Sequence, residues 1–181
     1  MLEQDNPEGV SLSSTRELFG LHSEPLEPHL RLLAERLRTR RLKLVTAESC
    51  TGGMIGAACT DLAGSSDWYE RGFVSYSNAA KTDLLGVPSM LVLLHGAVSD
   101  PVVRAMATGA ILRSQAQVSI AVTGVAGPGG GTEAKPVGTV WFGWQVDGAL
   151  HSEVQHFKGD RAAVRGETMR HAILRLNELM A

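Results

Sequence analysis

Residues Val118 to Val122 form a near-continuous apolar run of small and β-branched side chains. A run that short, without polar alternation, reads as a strand covered on both faces. The chain must then supply helices for two sides of a sheet. Leu30, Leu33, Ala34 and Leu37 fall at i, i+3, i+4 and i+7, predicting an amphipathic helix over 28–40. Residues 54–62 and 78–85 read as two more, the second closed by Gly86. Ser99-Asp100-Pro101 opens a fourth, and Asp160 caps a last one with Val164, Met169, Ala172, Ile173 and Leu176 inward. Further strands are expected at 42–47, 73–76, 137–146 and 153–157, the last two turning at Asp147-Gly148. That order predicts an α/β fold, a three-layer α/β/α sandwich on a mixed, largely parallel sheet.

The 181 residues suit one domain, expected at 28–181. Residues 1–27, with Asn6-Pro7, Gly9, Ser11, Ser13, Ser14 and Pro25 but little periodicity, are expected to be a mobile tail. The net charge of −2, from 17 basic and 19 acidic residues, argues against a nucleic-acid binder, which needs a basic surplus. No apolar run reaches the ~20 residues that span a bilayer. The opening residues are acidic and polar, unlike a signal peptide, so a cytoplasmic location is expected. The six histidines lack ligand spacing, and neither a metal nor a cofactor is expected. A homodimer is the expected assembly.

The stretch most suggestive of chemistry is Thr46-Ala47-Glu48-Ser49-Cys50-Thr51-Gly52-Gly53, where a strand ends and a helix begins. Unpaired N–H groups and a positive dipole gather at such a junction. Ser49 is there either a nucleophile beside oxyanion donors or an N-cap serine. Cys50 is a rival nucleophile, with no histidine nearby in sequence to activate it. Lys81, just after the 73–76 strand, is either a solvated lysine or, if the two strand ends are neighbours, a partner for Ser49. Thr123 through Gly131, rich in glycine, is either a long turn or an anion-binding loop. Arg161 and Arg165, at i and i+4, are either solvated charges or a phosphate clamp.

Seven co-linear motifs then carry a resemblance. T-A-E-S-C-T-G-G at 46–53, D-L-A-G-S-S at 61–66, E-R-G-F-V-S-Y-S-N-A-A-K at 70–81, H-G-A-V-S at 95–99, T-G-V-A-G-P-G-G-G at 123–131, K-P-V-G-T-V-W at 135–141 and F-K-G-D-R at 157–161 resemble the CinA C-terminal domain family. The resemblance runs from about residue 28 to the C-terminus. It implies metal-free hydrolysis of the carboxamide of nicotinamide mononucleotide, a small-molecule substrate, with Ser49 as nucleophile and Lys81 as its base. Tyr76 is then a proton relay or a packed strand tyrosine. The N–H groups of Cys50, Thr51 and Gly52 would hold the oxyanion. Glu48, Thr123, Gly124, Ala126, Gly127, Gly129, Gly130, Arg161 and Arg165 would contact substrate, the loop and arginines at the 5′-phosphate. The alternative is a nucleotide-binding module without turnover.

Overall fold

The computed structural model describes residues 25–181. The expected tail lies outside the described residues up to 24. Of the three tail residues that are described, Leu26 packs against the core and Glu27 opens the first helix. In chain order the elements are α1 (Glu27–Thr39), β1 (Leu44–Glu48), α2 (Met54–Thr60), β2 (Tyr69–Val74), α3 (Asn78–Leu85), α4 (Ser89–His95), α5 (Asp100–Leu112), β3 (Val118–Gly124), β4 (Thr139–Val146), β5 (Ala149–His156) and α6 (Arg161–Leu179).

The five strands make one sheet in the order β2-β1-β3-β4-β5. β1 runs parallel to both β2 and β3, while β3–β4 and β4–β5 are antiparallel. The sheet is mixed, as expected, but evenly split rather than largely parallel. The reason is local: β4 and β5 are joined by a tight turn in which Asp147 (φ 53°) and Gly148 (φ 78°) are both left-handed. Such a turn can only join antiparallel strands.

The sheet separates two apolar cores. On one face Leu33 and Leu37 of α1, Ile55 of α2 and Ile173 and Leu176 of α6 pack on Leu44, Ile120, Phe142 and Trp144. On the other, Leu85 of α3, Val92 of α4 and Val103, Met106 and Ala110 of α5 pack on Val45, Ala47 and Ala121. This is the predicted three-layer sandwich, and it explains why β1 and nearly all of β3 are buried.

Helix α4 was not expected from the sequence. Its outward residues Met90, Leu93 and Leu94 are apolar and exposed, so the segment has no polar face to give a helical period. Among the described residues no helix is long and apolar enough to cross a membrane.

From β1 the chain crosses by α2 to β2 at one side; from β2 it returns on the opposite face by α3, α4 and α5 to β3 at the other. The two connections run on opposite faces, and the carboxyl ends of β1 and β3 between them are the place where open α/β sheets take ligands.

Candidate active site

Ser49 follows the last residue of β1, and its N–H donates to Val122 O on β3. The chain then turns through Gly52 (φ 62°) and Gly53 (φ 100°), conformations costly for any side chain, before α2 begins at Met54. Gly53, not Ser49, is therefore the N-cap, and the capping reading of Ser49 does not hold. Glu48 does that work. Its Oε2 accepts from Thr51 Oγ1 (2.7 Å), Gly53 N (3.0 Å) and Ile55 N (3.1 Å), and its Oε1 from Gly56 N (2.8 Å). With 1% of its surface exposed, this carboxylate shapes the turn and has no face for substrate, contrary to expectation.

Lys81 reaches Ser49 from α3. Ser77 caps that helix by accepting from Ala80 N (3.0 Å), and Lys81 is its fourth residue, turned inward and only 1% exposed. Its Nζ lies 3.0 Å from Ser49 Oγ, 2.9 Å from Ser75 O and 3.4 Å from Tyr76 O. No carboxylate pairs with it among the described residues, and burial pushes its pKa below the ordinary lysine value. A neutral amine has two hydrogens and one lone pair. With two carbonyls taking the hydrogens, the lone pair is left for the Ser49 hydroxyl.

Cys50 is buried, and that burial, with the Glu48 charge adding to it, pushes its thiol up to about 11. A thiol raised in this way stays protonated near neutrality, which disfavours Cys50 as the nucleophile. Of the three expected oxyanion donors, Gly52 N–H is taken by Ser49 O at 3.1 Å. The Cys50 and Thr51 N–H groups donate to no backbone carbonyl among the described residues, and both lie against the Cys50 thiol.

The start of α6 closes the other side. Arg165 donates from Nε to Cys50 O (3.1 Å) and from Nη2 to Thr51 O (2.8 Å), clasping the turn that carries Ser49. Arg161 donates from Nη1 to Gly127 O (2.8 Å) and from Nη2 to the Tyr76 hydroxyl (3.1 Å). The Tyr76 ring is exposed and its hydroxyl faces Arg161; only its main-chain carbonyl serves Lys81. Thr123 is buried and donates to Ala97 O (2.9 Å), tying the 95–99 motif to β3. Gly124 is pressed against Val140, where a Cβ would come within 2.7 Å of that side chain. Ala126 and Gly127 are buried, while Gly129 and Gly130 are exposed, with nothing near the position of a Gly129 side chain.

The fold thus brings Ser49, Lys81, Cys50, Thr51, Tyr76, Arg161, Arg165 and the glycine loop together beyond the carboxyl end of β1, and turns Glu48, Thr123 and Gly124 to structural duties. Sequence reasoning missed the part of Ser75, whose carbonyl holds Lys81; a lone serine at a strand end gives no local signal. A buried hydroxyl beside an uncompensated amine, with main-chain N–H donors alongside, can perform nucleophilic acyl transfer. Among the described residues no His, Cys, Asp or Glu group could hold a metal.

Comparison with known proteins places these features in context. The model of the CinA C-terminal domain matches residues 26–180. A Pseudomonas putida protein named nicotinamide-nucleotide amidohydrolase PncC is 51% identical over 146 residues, covering 81% of this chain and 91% of that protein. One of the same name from Escherichia coli K12 is 46% identical, covering 78% and 86%. The crystal structure of a competence-damaged protein (CinA) superfamily member from Escherichia coli superposes with a TM-score of 0.84 at 40% identity, covering 88% of this chain and 92% of that one.

Proposed function

The chain belongs to the CinA C-terminal domain family, and we propose that it is a nicotinamide-nucleotide amidase working through an acyl-enzyme on Ser49. The names of its relatives support the substrate: nicotinamide mononucleotide would yield nicotinate mononucleotide and ammonia. The mechanism rests chiefly on one observation, the buried 3.0 Å contact of Lys81 Nζ with Ser49 Oγ.

Neutral Lys81 takes the Ser49 proton as Oγ bonds to the amide carbon. The oxyanion so formed is held by the N–H groups of Cys50 and Thr51. As the C–N bond breaks, the Lys81 ammonium gives its proton to the departing nitrogen, which leaves as ammonia. Water then adds to the ester, its proton passing to Lys81, and Ser49 Oγ leaves with that proton as the acid is released. Arg161 and the open backbone at Gly129 and Gly130 hold the 5′-phosphate. Arg165 acts at one remove: by holding the Cys50 carbonyl it fixes the peptide plane that carries the Thr51 N–H. Tyr76 positions Arg161 rather than relaying a proton.

The test measures ammonia released from nicotinamide mononucleotide by the wild type and by Ser49→Ala. Release that the substitution abolishes is the expected result. Mononucleotide bound without ammonia from the wild type would instead make the chain a binding module, and ammonia from Ser49→Ala would move the nucleophile elsewhere.

A further inference from the structure

Four buried side-chain atoms among the described residues lack a hydrogen-bond partner: Trp68 Nε1, Ser75 Oγ, Gln145 Oε1 and Asn177 Oδ1. An unpartnered buried hydroxyl in a well-packed protein calls for an explanation, and catalytic use is one. Ser75 stands apart from the other three because its own carbonyl accepts from Lys81 Nζ at 2.9 Å.

Its place in the sheet points the same way. The β1–β2 register ends at Glu48↔Val74 and continues one bond further, Ser75 N donating to Glu48 O at 2.8 Å. Ser75 is thus the cross-strand neighbour of Ser49. Side chains alternate along strands, and Phe73 packs in the same core as Val45 and Ala47. Ser75 and Ser49, two residues further on, face that side as well, and there Lys81 comes down from α3. Thr123 is the corresponding residue on β3, with its hydroxyl already committed to Ala97 O. Three hydroxyls in a row therefore top β2, β1 and β3: one on Lys81, one on the backbone and one unused.

The geometry points to Ser75 as a positioning residue for Lys81 that acts after Ser49 has been acylated. This rests on the amidase reading above. In the resting site the Ser49 hydroxyl occupies the third valence of Nζ. Once Oγ is an ester oxygen it has no hydrogen to give and is a poor acceptor, while the two carbonyls still hold the other two directions. A hydroxyl both donates and accepts. Ser75 can donate to the lone pair of the neutral amine until the attacking water displaces it, and can then accept from the ammonium until Nζ returns the proton to Ser49 Oγ. It keeps the amine aimed during deacylation without itself touching substrate, which its complete burial forbids.

The experiment is rapid-mixing ammonia release from nicotinamide mononucleotide by wild type and Ser75→Ala, with thermal melting of both. Ser75 has no resting partner to lose, so the variant should melt no lower than wild type. It should release one ammonia per enzyme in a fast burst and then turn over roughly tenfold more slowly or worse, as expected for a missing hydrogen bond to a charged group, with the burst rate unchanged. Steady turnover within twofold of wild type overturns the inference. A slowed variant without a burst, or one with a lowered melting temperature, shows a structural role and overturns it too. Wild type that releases no ammonia overturns the amidase reading and this inference with it.

Discussion

Lys81→Arg keeps a cation in the site and removes the base, so it separates the two roles that a lysine beside a serine can have. An unperturbed lysine titrates about 3.4 units above pH 7, and stripping its proton there costs about 4.6 kcal/mol at ~1.36 kcal/mol per unit. That would cancel much of the ~10²–10⁴ that general-base catalysis supplies. Burial of the amine lowers its pKa and so reduces the cost. The sign follows: kcat/KM rises with pH as the neutral amine is populated, and levels off below the range where free lysine titrates. Arginine cannot be deprotonated, its pKa lying above ~12, so Lys81→Arg should lose about a thousandfold in kcat or more. Lys81→Met should be as inactive and yet more stable near neutrality. The unfolded chain binds the extra proton between the lowered folded pKa and ~10.4, so wild-type stability climbs with pH across that window. Methionine carries no buried charge, and its variant should lack that climb. Steady-state rates with melting curves across pH measure all three. A tenth of wild-type kcat in Lys81→Arg, or a flat pH profile, would refute the argument.

Glu48→Gln should lower stability by about 1–3 kcal/mol, because an amide has one acceptor oxygen and turns N–H toward main-chain donors now served by Oε1 or Oε2; denaturant midpoints measure this, and kcat should fall with it. Gly109→Ala would set a Cβ 2.0 Å from Leu85 O at the end of α3. Moving the helix that carries Lys81 should cost about 1–3 kcal/mol, visible in melting temperature. Arg161→Ala should lose one to two decades in kcat/KM for the mononucleotide, on the order of the 1.5–3 kcal/mol of a charge-assisted bond, and change little for nicotinamide riboside. Arg165→Ala should instead lower kcat for both substrates, since its bonds go to Cys50 O and Thr51 O.

Much of the fold is written in local pattern. The apolar run at 118–122 became the buried β3, the spacing of Leu30, Leu33, Ala34 and Leu37 became the inner face of α1, and Gly86 and Asp147-Gly148 end their elements as their conformations require. These features were legible because each depends on a residue and its neighbours within a turn or two. Ser49 and Lys81 were visible as residue types, each with an ordinary reading beside the chemical one. What favours the chemical readings is a contact between residues 32 apart. That contact exists only because β2 lies parallel against β1 and α3 descends on the same face as Ser49. Which partner a polar group takes is equally non-local. Arg165, expected at the phosphate, is set by α6 against two carbonyls. Glu48 was a candidate for substrate until four donors closed around it. α4 left no trace because its exposed side is apolar. Sequence encodes which face of each element must leave water; the register of strands and the pairing of buried polar groups are settled only when all the layers pack together.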